Sequence, residues 1–76
     1  MASLATHRAQ EWIGNHLPAC AGMLLVTKLS RGTLHISAEN SIAAQECSLL
    51  NEDLRQFLQK ECEMTVEEVR IVRAGR

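Results

Sequence analysis

Seventy-six residues carry 8 Lys and Arg, 9 Asp and Glu and 3 His, for a formal net charge of −1, with one Trp, one Phe and no Tyr. A chain of this size forms one domain and buries only about 60% of the surface its unfolded form exposes, which excludes two-domain enzymes and deep cofactor clefts. With 46% apolar and 22% charged residues, 4 Gly and one Pro, the composition is that of a folded globular chain.

From Ser3 to Leu17 the apolar positions Leu4, Trp12, Ile13 and Leu17, with alanines at 5 and 9, predict a short amphipathic helix. Pro18 ends it, because proline disfavours the α region for the residue before it. Met23 to Leu29 is β-rich and runs into Ser30-Arg31-Gly32, a short loop with glycine where a positive φ is wanted. In Thr33 to Ala38, Leu34, Ile36 and Ala38 point one way while Thr33, His35 and Ser37 point the other. These two runs predict a β-hairpin. Asn40 or Ser41 then caps a helix of about twenty residues, in which Ala43, Cys47, Leu50, Leu54, Phe57, Leu58 and Glu61 form one stripe. Ile42 and Leu49 flank that stripe. Val66 to Arg73 supplies a third strand, with Val69 and Ile71 on one face and Arg70 and Val72 on the other. The expected fold is α+β, a two-layer α-β-β-α-β sandwich: a three-stranded sheet with both helices on one face and the third strand parallel to its neighbour through a helical crossover.

Charge is uneven along the chain. Residues 1–38 sum to +2 and residues 39–76 to −3, while Arg70, Arg73 and Arg76 make the last seven residues locally basic. Cys20, Cys47 and Cys62 are odd in number and lack CxxC spacing, so reduced thiols are expected, with neither a disulfide framework nor a zinc site. His16 and Cys20 are four apart, but Pro18 lies between them and no further ligand is close in sequence, so no metal is expected. No apolar leader opens the sequence, and its longest nearly unbroken apolar run, 19–26, falls far short of a bilayer span; a cytoplasmic protein without a membrane contact is expected. No set of nucleophile, base and orienting group can be assembled, and no phosphate-cradling glycine loop is present, so neither catalysis nor a cofactor is expected.

Three stretches carry a family likeness: Leu29-Ser-Arg-Gly-Thr-Leu-His-Ile36, Ser41-Ile-Ala-Ala-Gln-Glu-Cys-Ser-Leu-Leu50 and Val66-Glu-Glu-Val-Arg-Ile71. Together they span about residues 25–74, two thirds of the chain, and the chain resembles the DciA-like family of bacterial replicative-helicase operators. Gly32 and Leu34 match the hairpin positions of that family and Ala44, Gln45 and Glu46 its helix signature, with Cys47 replacing a leucine. The resemblance implies a KH-like (type II) module acting in DNA replication, in contact with the replicative helicase and with single-stranded DNA. Family members that engage the helicase carry a basic tail beyond the module, whereas this sequence ends at Arg76; a trimmed tail and a short relative holding the folded module alone are both open readings. A KH site clamps the nucleic-acid backbone with a GxxG loop between two helices. No GxxG occurs, and the helix from Ser41 to Glu61 is read as running unbroken through the place it would need.

Candidate nucleic-acid contacts are therefore Lys28, Arg31, Arg70, Arg73 and Arg76, with Lys28 and Arg70 on the sheet face away from the helices, Arg31 in the hairpin loop, and Arg73 and Arg76 past the last strand. The plain alternative is solvated charge that protects an exposed edge or face. Trp12 is read as the largest core residue, with base stacking as the alternative. Thr27, His35, Ser37 and Val72 lie on a small mixed face suited to a symmetric partner, and a homodimer across it would remedy the modest core. Two functions stay open at this point: a DciA-like replication module, or a protein interaction module that never touches nucleic acid.

Overall fold

The computed structural model describes residues 2–63 and 65–74. Helix α1, Ala2–His16, ends where expected: the Leu17 N–H makes the last helical bond to the Ile13 carbonyl at 2.8 Å, and Pro18 follows. Its buried line is Ala5, Ala9, Trp12 and Ile13. Leu4, expected in the core, is 53% exposed because the small alanines one turn apart are what meet the sheet. A 3₁₀ turn, Ala21–Met23, leads into strand β1, Leu24–Ser30, and β1 pairs antiparallel with β2, Thr33–Ala38.

The hairpin loop is the two residues Arg31 and Gly32, with φ of +53° and +80°, and Ser30 stands opposite Thr33. Both positive values are what a two-residue turn needs to match the twist of its strands, and Arg31 adopts without glycine's freedom a conformation that Gly32 reaches at no steric cost. A Cβ at residue 32 would also lie 3.4 Å from Glu67 Cγ.

The long helix of the sequence reading is two helices. Asn40 caps α2, Ser41–Leu49, accepting a 2.8 Å bond from the Ala43 N–H, and α3 runs Asn51–Cys62. Leu50 breaks them apart with φ −109° and ψ 12°, and its N–H tightens onto the Cys47 carbonyl three residues back. The reason lies in packing. α2 covers β2 and β3, α3 lies against α1, and one straight rod could not do both on so small a sheet. The apolar stripe 43, 47, 50, 54, 58 stays in phase across the break, so periodicity carries no mark of it.

Strand β3, Glu68–Arg73, lies parallel to β2, giving a mixed three-stranded sheet in the order β1-β2-β3. Its start is held twice. The Gly32 carbonyl accepts from the N–H groups of Glu67 and Glu68 at 2.8 and 3.2 Å, and Arg55 Nε donates to the Val66 carbonyl at 3.0 Å while its Nη1 meets Glu52 at 2.8 Å. Between the layers lie Ile13, Leu34, Ile36, Leu54, Leu58 and Cys47, all fully buried, with Trp12 packed between His16 and Phe57. The result is a compact α+β domain whose helices flank one face of the sheet.

Candidate binding face

The other sheet face is open, and its residues fall in rows set by register. Leu25, Ser37 and Val72 form one row; Lys28, His35 and Arg70 form the next; Ser30, Thr33 and Glu68 form a third. The middle row exists because of a bulge. Register shifts between Val26 and Lys28, so Thr27 is an extra residue and the alternation begun by buried Leu24 and Val26 is reversed. Without it, Lys28 would point into the core; with it, the ammonium stem leaves from the outer face beside His35, as bulges commonly re-aim a side chain. Thr27 Oγ1 donates to the His35 carbonyl at 3.1 Å, tying the bulge to the central strand. Adjacent strands lie about 4.8 Å apart, so Lys28 and Arg70 flank His35 across roughly 10 Å.

The five sequence-named cations divide. Lys28 and Arg70 share the outer face as expected, with half-buried His35 between them. Arg31 is at the hairpin tip, on the end of the sheet bordered by Ser30 and Thr33. Arg73 does not continue past the strand. It is the last residue of β3, opposite Ala38 on the helix side, and its Nη1 donates to Ser41 Oγ at 3.1 Å. Parity decides this, because Arg70 and Arg73 are three apart in a period of two. Arg76 lies outside the described residues. Glu68 shares the outer face with these cations and meets Arg70 at 3.5 Å.

His35, Ser37 and Val72 occupy the face on which they were placed. The sequence reading missed Leu25, which is 60% exposed beside Ser37 and Val72. Alternation within β1 was the signal for it, had the bulge been foreseen. It also missed Gln10 of α1. The Gln10 side-chain amide donates to the Leu24 carbonyl at 3.0 Å and accepts from the Val26 N–H at 2.8 Å, closing part of the outer edge of β1.

The thiols and the aromatic pair sit elsewhere. Trp12 and His16 stack with ring centroids 4.1 Å apart, and His16 Nδ1 is 3.0 Å from the Trp12 carbonyl, so this indole is occupied by the protein itself. Burial, and secondarily the Cys20 thiol, push Cys47 from the ordinary 9.0 up to about 11, which keeps it a protonated core group at neutral pH. Among the described residues no group of three metal-ligating side chains gathers, and no helix is long and apolar enough to cross a membrane. No family model and no curated protein matches the chain.

Proposed function

We propose that this domain is a non-enzymatic, KH-like binding module of DciA-like type. In this reading it serves bacterial DNA replication by contacting the replicative helicase, single-stranded DNA or both through its outer sheet face. The observation that carries the reading is the in-register row Lys28, His35 and Arg70, made by a bulge that spends a residue to turn Lys28 outward. The break at Leu50 adds support: a KH-type module keeps its backbone-clamping loop between two helices, and α2 and α3 are two such helices. Here the junction reads Leu49-Leu50-Asn51-Glu52, without glycine, so backbone contact falls to the sheet face and not to that loop.

Fluorescence anisotropy with a single-stranded oligonucleotide across a salt series tests the nucleic-acid half. Two permanent cations on the face predict log K falling by about 1.4 per decade of salt, from about 0.7 per phosphate contact. Lys28→Ala with Arg70→Ala should abolish the binding, and Arg73→Ala should leave it unchanged. A pull-down with purified replicative helicase tests the other half. A flat anisotropy baseline at low salt together with no helicase capture overturns the proposal.

A second reading, an interaction module without nucleic-acid binding, is favoured by one feature of the same face. Leu25 and Val72, 60% and 51% exposed, flank Ser37 in an apolar row beside the cationic one, and Glu68 already shares Arg70. Helicase capture with no oligonucleotide binding selects this reading.

A further inference from the structure

The open edge of β3 is a second surface, distinct from the outer face. Among the described residues no strand borders β3 on its far side. On its near side the Glu68 N–H reaches the Gly32 carbonyl and the Ala74 N–H reaches the Ala38 carbonyl. Alternate residues of a strand send their backbone groups to opposite edges, so Val69, Ile71 and Arg73 present theirs outward. Along this edge runs a groove of about 470 Å³, bounded by Ala44, Gln45 and Ser48 of α2 and by residues 68–71 of β3. Ala44 and Ser48 are small enough for a backbone to lie beside them.

We propose that the occupant of this edge is the β3 strand of a second copy of the chain, paired antiparallel across a two-fold axis so that two sheets become one of six strands. Charge sets the register. With the axis at Val69, Glu68 of each copy stands opposite Arg70 of the other on the outer face, and symmetry makes the pair twice. Shifted to Arg70, the axis sets two guanidiniums opposite each other; shifted to Ile71, it leaves Arg70 facing Val72. The two charges are already neighbours at 3.5 Å within one chain, so exchanging partners across the axis needs no new exposure of either. A strand edge guarded against pairing carries charges of one sign or a proline, whereas 68 and 70 alternate in sign and are self-complementary. Growth stops at two copies because Gln10 occupies the Leu24 carbonyl and the Val26 N–H at the other end of the sheet. The assembly goes beyond the function proposed above: it sets two Lys28, His35 and Arg70 rows on one continuous surface, whatever that surface binds.

Sedimentation velocity of the full chain from micromolar to millimolar concentration at low salt tests it. A concentration-dependent dimer is expected. Glu68→Arg and Arg70→Glu should each weaken it by about tenfold, and the two together should restore it, since the swap returns opposite charges to facing positions. Leu25→Glu, on the outer face but two strands away on β1, should leave it unaltered. A monomer at millimolar concentration overturns the proposal, as does a dimer that ignores both single reversals or that Leu25→Glu dissociates. Amide exchange of the unsubstituted chain gives a reading free of any folding defect. The Val69 and Ile71 N–H groups should slow with rising concentration while that of Val26 does not, and equal behaviour of the three counts against the pairing.

Discussion

The two edges of the sheet are handled in opposite ways. At β1, a side-chain amide from α1 does the work of a neighbouring peptide group, giving one bond to Leu24 and taking one from Val26. At β3, a helix runs alongside but leaves a groove, and the outward backbone of Val69 and Ile71 borders it. One edge is partly closed from within the chain, and among the described residues the other is open. Since both edges are short and both carry charge, the difference lies in what the helical layer sends: Gln10 of α1 bonds backbone groups of β1, whereas Ser41 of α2 meets only the Arg73 side chain of β3.

The comparison can be broken hardest by unseating α1. Ile13 is fully buried, so Ile13→Ala should cost about 2–5 kcal/mol in urea unfolding, and the Val26 amide should lose its exchange protection together with the helix. Removing only the amide is milder. Gln10→Leu keeps the volume but leaves the Val26 N–H and the Leu24 carbonyl without their partner, for about 1–3 kcal/mol, and light scattering should detect association through the uncovered edge. If that variant matches the parent in both measurements, the closure of β1 is not due to Gln10. On the β3 side, Arg55→Met should cost about 1 kcal/mol, because its bond to the Val66 carbonyl fixes the entry to the strand but the guanidinium is partly solvated.

Cys20 follows α1 and Cys47 lies on α2, and both are buried. Because the folded Cys47 thiol titrates near 11 instead of 9.0, its contribution to stability is full below pH 9 and is lost as pH rises toward 11. Cys47→Ala should flatten that alkaline decline. In the parent chain, half-buried Cys62 should react with a thiol reagent at pH 8 well before Cys47 does. The smallest effect is expected from Arg73→Ala, within about 0.5 kcal/mol, since its single bond to Ser41 is exposed.

Strand parity made much of this legible from the sequence. The faces of Leu34, Ile36 and Ala38 against His35 and Ser37, and of Val69 and Ile71 against Arg70 and Val72, follow from alternation alone. What alternation could not reach were the places where a count slips or a contact is long-range. Thr27 adds one residue, and residues before and after it keep different parity. Leu50 interrupts a helix without disturbing its stripe, and no glycine or proline marks it. Gln10 looks like any polar residue of an amphipathic helix, and its partners are 14 and 16 residues away. Arg73 is a simpler case: the predicted strand already ends on it, and alternation from Arg70 turns its side chain to the helix side, so it does not extend the basic face.

The Gly32 carbonyl accepts both the Glu67 and Glu68 amides, and this has a consequence for the order of folding. The acceptor is presented toward β3 only once Arg31 and Gly32 have closed their turn. The hairpin, a local structure of microsecond formation, therefore precedes the parallel strand, whose pairing spans the whole α2 and α3 segment. Until β3 arrives, the central strand has a bare edge of its own, with Leu34, Ile36 and Ala38 bordering it. A variant that slows the turn, such as Gly32→Val, should prolong that interval and aggregate during refolding, and it should also lower equilibrium stability by about 1–3 kcal/mol because a β-branched residue is strained at a φ of +80°.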